Sequence, residues 1–195
     1  VSCVLCLAVL TPAAASPVTW SFAGRITRVQ DDDNLLQGAI GIGTPFFGQY
    51  TFESATPDAF PANARLGRYI GALLGVSGRI GELDFFEVPE SLSFINVIDD
   101  DPIDNHVVSG STGFLGTTVS FVTSFSDSGG TLISDDSLLL VPPRFDLIGS
   151  TGFRIQNPSQ RLVLIGGLTS LVPEPGSLVL LMAGCTVLAL QRRCQ

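Results

Sequence analysis

His106 is the only histidine in the chain, and Asp104 precedes it by two positions. A nucleophilic hydrolase needs such a base beside a hydroxyl, and Ser109, Ser111 or Ser124 could reach it only through tertiary folding. None of these serines sits in a Gly-x-Ser-x-Gly elbow, so His106 reads more simply as a polar residue at the start of a strand. Paired carboxylates would be a second chemistry. Glu82, Asp84 and Glu87 are close in sequence, and a period of two puts Glu82 and Asp84 on one strand face. The same alternation sets them opposite Leu83 and Phe85, which is the pattern of a solvent face. No catalytic residue is assigned, and the chain reads as non-enzymatic.

Acidic turns are the other chemical feature. Asp31-Asp32-Asp33-Asn34, Asp99-Asp100-Asp101 with Asp104-Asn105, and Asp135-Asp136 each fall in an expected turn. Calcium takes roughly six to eight oxygens, which loop carboxylates and carbonyls can supply. None of the runs has EF-hand or nonapeptide-repeat spacing, and Asp and Asn are ordinary turn formers. The sequence demands no cofactor; a calcium site, if present, is expected at Asp99, Asp100, Asp101 and Asp104. Sugar binding would need exposed aromatic rings. Trp20 belongs to an alternating apolar face and is expected in the core, leaving Tyr50, Tyr69 and the phenylalanines.

The elements that must position these residues are strands. Only 14% of the residues are charged, whereas Gly and Pro number 21 and 12, a profile of short strands and turns. Val18, Trp20, Phe22 and Ile26 alternate with Thr19, Ser21, Arg25 and Thr27, as in a half-buried antiparallel strand. Further strands are expected over 39–43, 46–52, 69–76, 79–86, 92–98, 106–110, 119–125, 138–141, 144–148, 152–155 and 161–168. A short helix or turn fits residues 54–68. Strands at regular spacing, with no long helical period before residue 176, predict an all-β antiparallel sandwich over residues 17–170, jelly-roll-like rather than a closed barrel.

Both ends differ from this middle. Residues 1–16 carry an apolar run from Val4 to Leu10 and then Thr11-Pro12 and Ala13-Ala14-Ala15-Ser16, the h-region and small-residue site of a secretory signal peptide. A basic n-region and an initiator Met are missing, which a GTG start or a truncated beginning would each explain. Cys3 and Cys6 have zinc-like spacing but no second ligand pair. At the other end, Pro173 and Pro175 fix φ, remove two donors and hold residues 172–175 extended and accessible. The run after Gly176, through Leu190, is apolar on all sides and is expected to be a single hydrophobic helix. At about 1.5 Å per residue its 15 or so residues span roughly 22 Å, short of a hydrocarbon core of about 30 Å. Arg192 and Arg193 then sit on the cytoplasmic side.

All four cysteines lie in these two end segments. The remainder, roughly 155 residues, is long enough to bury a core as one domain without a disulfide. The basic residues are all arginine and the formal net charge is −8, which argues against nucleic acid as a partner.

Val172-Pro173-Glu174-Pro175-Gly176, the apolar run and Arg192-Arg193 together resemble the PEP-CTERM sorting signal of Gram-negative bacteria that make exopolysaccharide or biofilm. The resemblance covers about 24 residues, Val172 to Gln195, and sets the expected sorting segment at 171–195. It implies export through the secretory translocon and transient anchoring in the inner membrane. It also implies recognition of Pro173-Glu174-Pro175 by an exosortase-type membrane protease, then delivery to the cell surface or exterior. This tail has only two arginines in its cluster, followed by Cys194-Gln195. Val18-Thr-Trp-Ser-Phe-Ala-Gly24, Gly48-Gln-Tyr-Thr-Phe-Glu-Ser54, Ile95-Asn-Val-Ile-Asp-Asp-Asp101 and Ile165-Gly-Gly-Leu-Thr-Ser170 are similar to small β domains carried by such signals, and imply no activity. The expectation is a non-catalytic structural or interaction protein associated with exopolysaccharide. A carbohydrate-binding module is the alternative, and a glycan-active enzyme stands behind it.

Overall fold

The computed structural model describes residues 17–87, 93–100 and 103–174. They form ten strands: β1 (Pro17–Asp31), β2 (Pro45–Glu53), β3 (Leu66–Ile70), β4 (Leu73–Ile80), β5 (Leu83–Glu87), β6 (Phe94–Asp100), β7 (Ile103–Phe114), β8 (Thr117–Asp127), β9 (Ser150–Asn157) and β10 (Leu162–Pro173). Short 3-10 turns occur at Phe145–Leu147 and Pro158–Gln160, and no α-helix occurs among the described residues. The expected signal peptide and the expected hydrophobic helix after Gly176 lie outside the described residues.

The pairing corrects the expected sandwich. β1 pairs with β2 on one edge and β10 on the other, and the order runs through β4, β5, β7, β8 and β9 back to β10, with β7 paired to both β5 and β8. Every pairing is antiparallel, and the circuit closes as an eight-stranded up-and-down barrel. β6 and β3 prolong one side, since β6 shares the edge of β7 with β5, and β3 pairs with β6. A sandwich and a barrel share the same alternation along each strand, so periodicity could not separate them. Curvature separates them: β1 carries register shifts at Ala23/Gly24 and Ile26/Arg28, and such bulges bend a strand around a barrel.

Inward residues explain why the circuit is stable. An eight-stranded barrel is just wide enough for side chains to fill it. Phe22, Phe46, Phe85, Phe121 and Phe153 fill one level; Phe46 and Phe153 stack at 4.0 Å between centroids. Trp20, Tyr50, Phe52, His106 and Phe125 fill the next, and Trp20 reaches across to stack on His106 at 5.5 Å. Rings of this size need small neighbours. A Cβ on Gly24 or Gly166 would lie 2.4 Å from the Phe46 ring, and one on Gly78 would lie 2.4 Å from Phe85.

Several expected strands move. Residues 39–43 belong instead to the loop 32–44, which buries Leu36 and Ile40 at one barrel end. Residues 138–141 and 144–148 fall in the loop 128–149, whose Ile133 and Leu138 plug the other end. The run 79–86 is two strands, turned at Gly81-Glu82 with Gly81 at φ 58°. Leu115-Gly116, at φ 52° and 72°, makes the tight turn between β7 and β8.

Each plug is held by one carboxylate. Asp31 accepts hydrogen bonds from the backbone N–H of Leu35 and Leu36, both at 2.8 Å. Asp104 Oδ2 accepts from Leu132 N–H at 2.7 Å and Ile133 N–H at 2.9 Å. The Tyr69 hydroxyl donates to the Asp136 carbonyl at 2.7 Å, tying the second loop to β3. Two of the acidic turns thus work as fasteners.

Candidate functional site

The catalytic candidates do not assemble. His106 points into the barrel with no exposed surface to speak of, while Ser109 and Ser111 alternate to the outside of β7 and Ser124 to the outside of β8. Burial pushes the His106 imidazole down to about 3, so the ring is neutral. Its Nε2, Asp104 Oδ1 and Trp20 Nε1 are buried without a protein hydrogen-bond partner. Asp84 lies outside the barrel, paired with Arg79 across the β4–β5 hairpin at 2.7 Å, and Glu82 is exposed in the turn. The Arg79 guanidinium holds the Asp84 carboxyl below the usual carboxylate range. Glu87 ends β5, opposite Thr112.

The calcium candidates are placed only in part. Asp99 and Asp104 are register partners on the β6–β7 hairpin, Asp100 ends β6, and Asp101 lies outside the described residues. Asp104 turns inward and commits one oxygen to two amides of the plug. Asp127 is engaged by Gly129 and Thr131, and Asp135 by Ser137. Among the described residues no group of three or more His, Cys, Asp or Glu side chains is placed to hold a metal.

What the outside of the barrel does offer is a groove of about 380 Å³ along β1. Its geometry follows from register. Ser21 lies between Val172 of β10 and Gln49 of β2, and Ala23 lies between Ser170 and Phe47. Two small residues on the central strand thus form a floor between bulkier banks. Phe47 is 55% exposed and Val172 50% exposed, so both banks are apolar at the rim. Ser21, Gln49, Ser77 and Ser170 add polar atoms. Sequence reasoning did not single out this face, although Phe46-Phe47 carried a signal: two adjacent aromatics in one strand must face opposite sides. Phe85-Phe86 repeats it, with Phe85 inside and Phe86 exposed. Trp20, Tyr50 and Tyr69 are all buried and offer no outer platform.

The Pro-Glu-Pro motif, expected to direct sorting, starts at the rim of this groove. Pro173 is the last residue of β10, with Trp20 as its register partner, and crosses the expected domain boundary at 170/171 in an unbroken strand. Glu174 N–H donates to the Thr19 carbonyl at 3.0 Å, and the Ser21 hydroxyl donates to the Glu174 carboxylate. The segment is extended, as its prolines require, but paired; only Val172 is well exposed. Pro175, Arg192 and Arg193 lie outside the described residues, among which no helix is long and apolar enough to cross a membrane. Comparison with family models, with curated proteins and with solved structures finds no match to this chain.

Proposed function

We propose that this chain is an exported cell-surface or extracellular-matrix protein with a non-catalytic structural or interaction role beside exopolysaccharide. It is sorted and processed through Pro173-Glu174-Pro175 by an exosortase-type protease after passage through the secretory translocon. The observation that carries this reading is the ordered C-terminal signal of the Pro-Glu-Pro motif, apolar run and Arg192-Arg193. Three features support it. Pro173 and Glu174 lie where the barrel ends, no cysteine occurs in the sequence between residues 17 and 174, and the candidate nucleophile and base face opposite sides of the wall. A filled interior suits a rigid surface module. The role needs no metal, and calcium at Asp99–Asp104 would have to draw Asp104 away from the Leu132 and Ile133 amides.

The test is replacement of Pro173, Glu174 and Pro175 by alanine, followed by mass and cell fractionation. Retention of an unprocessed, membrane-associated chain is expected. Release of a product of unchanged mass into the medium would overturn the sorting role.

Carbohydrate binding is a second reading, favoured by one observation, the exposed Phe47 ring beside the polar atoms of Ser21, Gln49 and Ser77. Retention on the producer's own polysaccharide, weakened several-fold by Phe47→Ala, would support it; no retention at high protein concentration would remove it.

A further inference from the structure

We infer that the barrel itself latches the sorting motif, so that a processing enzyme must peel the end of β10 from β1 before it can act. This inference rests on the processing role proposed above. A protease binds its substrate as an extended chain whose backbone groups are free to pair. Here the groups that face β1 are already used. Val172 is paired with Ser21 and Pro173 with Trp20, and Glu174 N–H is bound to the Thr19 carbonyl. The Glu174 carboxylate, the one charged group of the motif, is held by the Ser21 hydroxyl.

The position of the prolines makes the latch short. Pro173 has no N–H to give β1, so Glu174 supplies the last backbone donor before Pro175, which has none either. One amide and one carboxylate therefore close the end of the seam. Below them the β1–β10 pairing continues from Val172 down to Leu162 opposite Asp31. Peeling residues 172–174 thus costs a local opening and leaves the barrel closed. A chain that has not folded presents the motif freely, and a folded one presents it only in the opened fraction, so folding of the barrel slows the cut. Sorting and folding are coupled through Ser21 and Thr19.

The experiment uses the full chain in detergent, wild type and Ser21→Ala, with hydrogen exchange read at the Glu174 amide. Processing is followed in producing cells by pulse labelling. Protection of the wild-type amide by at least about ten-fold over an unstructured peptide is expected. Ser21→Ala should lose several-fold of it and speed processing by a similar factor. A Ser21→Cys/Val172→Cys pair, oxidised across the seam, should block processing until reductant is added. Exchange of the wild-type Glu174 amide at the unstructured rate would overturn the latch, as would processing of the oxidised pair at the wild-type rate. If the wild-type chain is never shortened, the processing role fails, while the exchange measurement still decides whether the latch exists.

Discussion

Phe153→Ala puts the filled barrel to a quantitative test. The ring is buried, stacks on Phe46 at 4.0 Å between centroids and meets Phe22, Phe85 and Phe121 at 6.0 to 6.1 Å. Removing a buried phenylalanine costs about 3–5 kcal/mol, depending on how far the site can collapse. Here collapse is difficult: the neighbours are rigid rings, backed by glycines at 24, 78 and 166 that carry no side chain to move inward. The upper part of that range is expected. With a urea slope of about 2 kcal/mol per molar for a domain of this size, the midpoint should fall by roughly 2 M at unchanged slope. Phe153→Leu, which keeps most of the volume, should lose markedly less. A Phe153→Ala loss under about 1.5 kcal/mol at unchanged slope would show that the interior is loosely filled and refute the packing argument.

His106 predicts an acid dependence. Its folded value is pushed down to about 3 by burial, so between pH 6.5 and about 3 the unfolded chain takes up a proton that the folded barrel refuses. Stability contributed by the neutral ring is complete above pH 6.5 and declines as pH falls, by about 1.4 kcal/mol per pH unit at most. His106→Phe, stacked in the same place, should remove that slope in urea titrations at pH 7 and pH 4.5; an unchanged slope would contradict the assignment. Asp104→Ala should free the 128–149 plug and cost about 1–3 kcal/mol by leaving the Leu132 and Ile133 amides unpaired, seen as rapid amide exchange there. Exchange unchanged at both amides would refute the fastener role. Calcium should not raise the melting temperature, because Asp104 is already engaged; a chelator-reversible rise would restore the expected site.

Much of the barrel wall was legible in the sequence. Alternation placed Trp20, Phe22 and Ile26 inside and Ser21 and Thr27 outside, and the Gly81-Glu-Leu-Asp-Phe85 run put Asp84 on the solvent side. Closure was not legible, because strand periodicity is local while closure depends on the pairing of β1 with β10, more than 130 residues away. The Gly24, Gly78 and Gly166 set opposite large rings was its one written trace. The two plugs were misread as strands because Ile40 and Leu138 are buried apolar residues in irregular backbone. Residues 172–174 are extended, as expected beside two prolines, but they are paired rather than accessible. Their pairing with Thr19 and Ser21 is a tertiary fact with no local signature.

The fate of the end of β10 decides the proposed sorting role. The most direct measurement is the intact mass of the protein recovered from the medium of producing cells, with its C-terminus sequenced. A product ending within residues 172–176, without Arg192 and Arg193 and with the barrel intact by circular dichroism, is predicted. A released product that still carries Arg192 and Arg193 would contradict it.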